Sequence, residues 1–372
     1  MRIGLDARMY RSAVAGIGRY SQNLIKNLLV IDDDDEFVLL MTSADAREIR
    51  NKKWDAGNAK IVLADVPHYS LAEQMSLPKI LAKENLDLVH YLNFNHPVRY
   101  RGRFMVTIHD LTLLFYPETA KETNFIKQWA YRYTMKKACQ NALKIIAVSK
   151  NTKKDIVREF GVSEDKIKVI YEAADDKIFN VTKEHTDRLQ KEYHLTKPII
   201  LYVGQFRQHK NLEGLIRAFK IIKEKTPCQL VLVGKNEGLR VDKTGPEGDI
   251  VMPGFVSDED LAVFYQMAEV FVLPSFYEGF GLPGLEAMRA GTAVCASKTS
   301  SLPEIYQDAA LYFDPFDAKD IAGKIRLVLE DGRLRRDMIE RGKRVARGYS
   351  WRKTAKETLA LYKKISNDQL TQ

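Results

Sequence analysis

The sequence predicts an α/β chain of two domains built from βα units, and three observations carry that prediction. Short apolar runs with the length and Val/Ile/Leu content of buried strands alternate with stretches of helical periodicity along the whole chain. Three of those runs, over residues 2–7, 199–203 and 270–273, each lead through a glycine-bearing turn into a helix. The 372 residues exceed one ordinary core, and at roughly 150 residues per domain they make two.

Composition bounds the function classes. A hydrophobic content of 45% with 29% charged residues is that of a soluble globular protein. No apolar run approaches the roughly 18 residues that span a membrane, and the opening MRIGLDARMY lacks the apolar core of a signal peptide. A cytoplasmic location is the expectation. The three cysteines, Cys139, Cys228 and Cys295, are odd in number and far apart, so reduced, buried thiols are expected rather than a disulfide framework or a metal knuckle. The net charge of +9 is concentrated in two zones: residues 98–154 hold 12 Lys/Arg against 3 Asp/Glu, and residues 324–364 hold 14 against 5. Neither zone carries a nucleic-acid motif. A solvated face accounts for either, and an anionic lipid or lipid-diphosphate partner at the inner face of the cell membrane is the functional reading of the first.

Taken in order, residues 2–7 alternate into a strand, and Gly16 and Gly18 lead into a helix with Leu24, Ile25, Leu28 and Leu29 on one face. The third glycine of a dinucleotide fingerprint is missing near position 21, which disfavours a nicotinamide dehydrogenase. The run Asp32 to Asp35 falls between a helix and the strand 37–41, and reads as a solvated connection rather than a metal motif. Strand 60–64, a helix at about 70–84 with Ile80 and Leu81 inward, strand 88–91 and strand 104–108 follow. The last runs straight into His109 and Asp110, at the carboxyl end of a strand where α/β folds collect functional side chains. A helix over 122–140 carries Phe125, Ile126, Trp129 and Tyr133 near one stripe beside Arg132, Lys136 and Lys137. Such a stripe is either core or an interfacial face, since Trp, Tyr and Lys/Arg together suit a headgroup layer.

Strand 145–148, a helix over 151–160 ended by Gly161 and strand 167–171 complete the first half, and apolar periodicity lapses between Glu172 and Lys197, where the linker is placed. The second half opens with strand 199–203, the loop Gly204-Gln205-Phe206-Arg207-Gln208-His209-Lys210-Asn211, and a helix with Leu212, Leu215, Ile216 and Phe219 inward. Strands 230–233 and 251–255 come next, then a helix start at Ser257 with Asp260 three residues on, as in a capping box. Strands 293–296 and 311–313, helices at about 317–330 and 333–347 and a final segment 350–365 close the chain.

The most informative stretch is Ser275 to Gly291, SFYEGFGLPGLEAMRAG. Gly279, Phe280, Gly281 and Leu282 form a tight turn, Pro283 suits a helix start, and Gly291 suits its end. Backbone N–H groups at such a helix start, carrying roughly half a positive charge, make an anion cradle. Glu278 and Glu286 flank it with seven residues between them. Carboxylates oppose a phosphate but accept from neighbouring hydroxyls, so phosphate with polyol points to a nucleotide sugar.

This stretch resembles the signature of the retaining glycosyltransferases of family 4, whose GT-B fold sets two Rossmann-like domains face to face across a cleft. The resemblance implies an acceptor-binding domain over 1–180, a nucleotide-sugar domain over 190–349, and a C-terminal helix over 350–372 that crosses back to the first domain. It implies that Gly16 and Gly18 approach the donor diphosphate, that His109 orients the reacting sugar, and that Lys210 with Arg207 meets the leaving phosphates from the turn after Gly204. Many members carry arginine directly after that glycine; here it is Gln205, and Arg207 either replaces it or is only exposed. Val256 and Asp258 correspond to the loop against the nucleobase, Glu278 to sugar hydroxyls, Glu286 to the ribose, and the Gly279 to Leu282 turn to the diphosphate. No metal or other cofactor is implied, and no protein base. Similarity to mannosyl and related transferases of bacterial surface polysaccharides favours GDP-mannose over a UDP-hexose or UDP-N-acetylhexosamine, with a glycan or lipid-linked acceptor. A nucleotide-sugar binder without catalysis is the non-enzymatic alternative.

Overall fold

The computed structural model describes residues 1–10, 15–51, 59–119, 124–175, 181–236 and 249–370. Thirteen strands among them form two sheets in which every pairing is parallel. The chain divides into two compact units, one of Met1–Leu114, Glu122–Glu172 and Ser350–Gln372, the other of Phe115–Lys121 and Ala173–Tyr349. The expected domain boundary at residue 180, the first two residues of the helix expected from 122, and residues 371–372 lie outside the described residues.

The first unit holds β1 (Arg2–Asp6), β2 (Glu36–Met41), β3 (Lys60–Leu63), β4 (Leu88–Tyr91), β5 (Phe104–Ile108), β6 (Ile145–Ala147) and β7 (Ile167–Val169), in the spatial order β3-β2-β1-β4-β5-β6-β7. Its central strands are apolar almost without interruption because both faces of a parallel sheet are covered: β4 and β5 are buried at every position. The order reverses between β1 and β4, which opens a crevice at their carboxyl ends.

The helix Trp351–Leu370 belongs to this unit and packs on the helix Ala15–Ile31. Trp351 is buried with its ring edge-on to Tyr20 at 5.8 Å, and the Thr354 hydroxyl donates to the Tyr171 carbonyl at 2.7 Å. Residues 350–370 therefore complete the core of the unit in which the chain begins.

Five expectations are corrected or decided by the structure. Asp32 is buried and pairs with Lys363 at 3.4 Å, so the acidic run is a contact for the last helix, with only Asp33 and Asp34 exposed. In the helix Leu71–Ala82 the buried apolar face is Leu77 and Leu81 while Ile80 is only half-buried, and Ile216 is likewise half-buried in Leu212–Lys223, where Ile222 takes its place. Gly16 and Gly18 lie inside the first turn of Ala15–Ile31 rather than in a turn before it; Gly16 is exposed and Gly18 buried. The aromatic stripe of Phe125–Asn141 is not core: Phe125 is 82% exposed, Ile126 70% and Trp129 59%.

The second unit holds β8 (Ile199–Val203), β9 (Gln229–Val233), β10 (Ile250–Gly254), β11 (Ala268–Leu273), β12 (Ala293–Ser297) and β13 (Ala310–Phe313), ordered β10-β9-β8-β11-β12-β13. The reversal here falls between β8 and β11. Three strands end against one another through glycine: Gly234 N–H donates to Gly254 O at 2.8 Å, and a Cβ on Gly234 would lie 1.9 Å from Gly204 O. Only glycine permits that approach, and it brings the loops after β8 and β9 together.

All three cysteines are free and buried, and burial pushes the Cys139 thiol up to about 12 and the Cys228 thiol to about 11. Inert structural thiols are the result.

Candidate active site

In the second unit the reversal between β8 and β11 puts two loops side by side. After β8 the chain passes through Gly204 to Lys210, and after β11 through Ser275 to Gly281. The Lys210 ammonium reaches across to the Glu278 carboxylate, with Nζ 2.7 Å from Oε1 and 2.9 Å from Oε2. Ser275 Oγ donates to the same Oε1 at 2.6 Å. Lysine and glutamate, 68 residues apart in sequence, thus form one half-buried pair at the mouth of the crevice. Each had a separate assignment on the sequence, and the fold joins them.

The backbone of Glu278 is pinned from the loop after β12. Ser300 Oγ accepts from Glu278 N–H at 3.1 Å and lies 2.5 Å from Glu278 O, to which it and Ser301 Oγ, at 2.9 Å, donate. Ser300 has φ of 57°, a left-handed conformation held by these bonds. The turn itself is fixed from beneath. Tyr306, fully buried, donates its hydroxyl to Gly281 O at 2.5 Å. Gly281 caps the helix Leu282–Ala290 with φ of 94°, and a Cβ there or on Gly284 would fall 2.5 Å or 2.2 Å from the Tyr306 hydroxyl. Pro283 stands in the first turn and Gly291, with φ of 85°, ends the helix. Phe280 and Gly279 are buried, Leu282 half-buried.

Glu286 is half-buried one turn into this helix and accepts from the Tyr265 hydroxyl at 2.9 Å, which holds one of its oxygens toward the neighbouring helix. Arg207 is half-buried; its carbonyl accepts from Lys210 N–H at 3.0 Å and its N–H donates to Gln205 O at 3.0 Å, while Gln205 O also accepts from the buried Tyr202 hydroxyl at 3.1 Å. His209, between the two cations, is driven to about 2 by burial and then by Lys210 and Arg207, so it is a neutral imidazole. Asn211 locks the loop end: in the left-handed region with φ of 54°, it accepts from Gly214 N–H at 3.2 Å and donates to Pro274 O at 3.1 Å and Pro315 O at 2.7 Å. Val256 is half-buried and Asp258 exposed at the start of the helix Asp258–Met267, where Ser257 accepts from Asp260 N–H at 3.1 Å as the capping pattern predicts.

In the first unit His109 follows β5. Its Nδ1 lies 2.8 Å from Glu172 Oε1 and its Nε2 2.9 Å from Leu92 O, with the Tyr20 ring edge-on at 4.6 Å. Asp110 Oδ1 accepts from Thr112 N–H at 2.8 Å and so caps the short helix that follows. Beneath His109 a buried chain runs from Tyr20 hydroxyl to Thr107 Oγ1 at 3.0 Å, to His90 Nε2 at 2.8 Å, and from His90 Nδ1 to the Tyr362 hydroxyl at 2.6 Å. Burial, with the charge of His109, lowers His90 to about 3, which keeps it neutral.

Several participants were not visible in the sequence. Ser275, three residues before Glu278, carried a usable hint; Glu172, Tyr265, Ser300, Ser301 and Tyr306 carried none, because only the fold of each unit brings each to its own partner. Among the described residues no group of three or more His, Cys, Asp or Glu side chains could hold a metal ion, and no helix is long and apolar enough to cross a membrane.

Comparison with known proteins fits this geometry. The family described as Glycosyltransferase Family 4 matches residues 14–177, and the one described as Glycosyl transferases group 1 matches residues 183–345. The O-antigen chain mannosyltransferase B of Escherichia coli is 31% identical over 386 residues, spanning 98% of this chain and 100% of that protein. The chain belongs to glycosyltransferase family 4.

Membership in that family makes it a glycosyltransferase. A further relative, the mannosylfructose-phosphate synthase of Agrobacterium fabrum, is 25% identical over 84% of this chain and 67% of its own length. Among solved structures, a sucrose-phosphate synthase from Thermosynechococcus elongatus superposes with a TM-score of 0.73 at 21% identity, covering 99% of this chain and all of its own. The Anabaena protein HepE in complex with UDP-glucose superposes at 0.74 with 16% identity, covering 98% and 99%. These likenesses establish the fold of this glycosyltransferase as GT-B.

Proposed function

We propose that this glycosyltransferase moves mannose from GDP-mannose to a hydroxyl of a glycan or lipid-linked saccharide, with retention at the anomeric carbon. The observation that carries the reading is the Lys210–Glu278 pair beside the Gly281 helix start, at the strand reversal of the second unit. Transfer is difficult because a diphosphate must leave with its charge, and preorganised positive groups stabilise that charge most effectively. Lys210, Arg207 and the amides of Gly281 and Leu282 are assigned this role, with Gly279 and Phe280 shaping the turn and Gly204 opening the crevice. An ammonium has three donors; two directed at Glu278 leave one for a phosphate oxygen, so the glutamate holds the cation in place before the donor arrives. Glu278 then meets the sugar hydroxyls with its remaining acceptor capacity, and Glu286 the ribose. Val256 and Asp258 are assigned to the base, Gly16 and Gly18 to the diphosphate from the first unit, and His109 to the reacting sugar.

Mannose is preferred because the relative matched along 98% of the chain is named a mannosyltransferase. Retention and the absence of a protein base are carried by the family likeness, with the leaving phosphate assisting acceptor deprotonation. We propose that no metal is needed, since Lys210 and Arg207 supply the charge a divalent ion would bring. The exposed Phe125, Ile126 and Trp129 beside Lys136 and Lys137 are assigned to an anionic membrane surface carrying the acceptor.

A thermal-shift panel of GDP, UDP, ADP and their sugars tests the donor. A ligand at one hundred times its Kd adds about 2.7 kcal/mol, so GDP-mannose is expected to give the largest rise in Tm. A larger rise with UDP-glucose would overturn the donor assignment. Release of free sugar from GDP-mannose without acceptor is expected of the enzyme; its complete absence, with and without added EDTA, would favour a binder.

A further inference from the structure

We propose that Glu172 holds His109 as an imidazolium, so that His109 serves the transfer as a fixed cation and not as a base, with Glu172 as its positioning residue. The proposal rests on the assignment of His109 to the transfer reaction.

A neutral imidazole has one N–H and one lone pair, so it donates once and accepts once. His109 presents Nε2 to the carbonyl oxygen of Leu92 at 2.9 Å and Nδ1 to a carboxylate oxygen of Glu172 at 2.8 Å. A carbonyl has no hydrogen to offer, and an ionised carboxylate has none. Both bonds therefore form together only when both ring nitrogens carry one. A proton shared between the two side chains resides on the imidazole, because the ordinary values, near 6.5 and 4.3, favour it there.

Among the described residues, the groups facing the ring agree. Asp110, next in the chain, adds a second negative charge. The helix Ala15–Ile31 contributes Tyr20, whose ring edge packs at 4.6 Å and whose hydroxyl is turned away to Thr107. The strand β4 contributes His90, which is neutral and bonded to Thr107 and Tyr362. Burial opposes the charged ring, but the Glu172 bond and charge, the Leu92 carbonyl and Asp110 together raise its pKa above the ordinary value. Glu172 itself is buried, so its charge is poorly screened.

A base must have a lone pair to receive a proton, and His109 has none in this arrangement. With both N–H groups committed to Glu172 and Leu92, what it can offer is its positive charge, which suits the negative charge growing on the leaving diphosphate. The ring is part-exposed, at 12% of its side-chain surface.

The test uses the full chain labelled with 15N-histidine. The ring signals of His109 are identified by their loss in His109→Gln, and both nitrogens are expected in the protonated range at pH 7. One unprotonated nitrogen there overturns the proposal, whatever the variants do. In Glu172→Gln, which keeps an acceptor but loses the charge, the pKa of His109 is expected to fall by about one to three pH units. The alkaline limb of kcat for GDP release from GDP-mannose is expected to move to lower pH by the same amount, with KM little changed and activity recovered on acidification. A loss equal at all pH values would mean a merely structural role and overturn the proposal. Wild-type turnover by His109→Gln would remove the catalytic assignment while the ring signals still reported the charge state, so the two failures are distinguishable.

Discussion

Replacing Lys210 by Met tests the second-unit site most sharply, because one substitution changes two charges' environment. In the wild type the ammonium sits 2.7 Å and 2.9 Å from the Glu278 oxygens, with side-chain exposures of 20% and 11%. Methionine keeps the stem and removes the charge. It also leaves Glu278, held by Ser275, as an uncompensated anion beside the place assigned to a diphosphate. Two unit charges about 4 Å apart interact by about 4 kcal/mol at the effective dielectric of such a site, and rearrangement and water recover part of that. A net loss of about 3 kcal/mol corresponds to about a hundredfold slower transfer. Glu278→Gln alone is expected to cost about tenfold, since Lys210 remains to meet the phosphates. The double variant is expected to lie near Lys210→Met rather than at the product of the two losses, because residues that act as a unit are not additive. The assay is steady-state GDP release with kcat and kcat/KM resolved for all four proteins. Full additivity, or turnover within twofold of wild type in Lys210→Met, would refute the reasoning.

Four further outcomes follow from the same contacts. Gly284→Ala puts a Cβ 2.2 Å from the Tyr306 hydroxyl, and a loss of about 1–3 kcal/mol in urea unfolding, with weaker GDP-mannose binding, is expected. Trp351→Ala empties a buried site between the last helix and Tyr20 and is expected to destabilise the first unit by about 3–5 kcal/mol, read by denaturant unfolding. His109 has a raised folded pKa, so its ion pair stabilises fully below the unfolded value near 6.5 and is lost as pH rises through the folded value; the melting difference between wild type and His109→Gln should shrink above that point. Phe125→Ser with Trp129→Ser is expected to abolish flotation with vesicles containing anionic lipid while leaving the melting temperature within about 2 °C, because both side chains are exposed.

Strands, turns and their order were largely legible because each rests on local pattern. Continuous apolar runs marked β4, β5 and β8 to β11, and the Gly281 turn with Pro283 and Gly291 marked the helix behind it. The residue types His109, Lys210 and Glu278 were also legible, each in a loop that follows a strand. Their partners were not. Lys210 meets Glu278 because β8 neighbours β11, and His109 meets Glu172 because β5, β6 and β7 lie in sequence across the sheet. Periodicity carries no information on which strands become neighbours. The stripe Phe125, Ile126, Trp129 exposes the opposite limit: apolar spacing shows that a face exists, and only packing shows whether anything covers it. Asp32 makes the same point for charge, since a run of four aspartates reads as solvated until the last helix sets Lys363 against Asp32 and Asp34.

A sugar-nucleotide diphosphate is proposed to lie against Lys210, in the loop after β8. Phosphorus-31 spectra of GDP-mannose titrated with wild type and with Lys210→Met examine that directly. Both phosphorus resonances are expected to shift and broaden on adding wild-type protein, with about a hundredfold more of the variant needed for the same change. Superimposable titrations for the two proteins would contradict it.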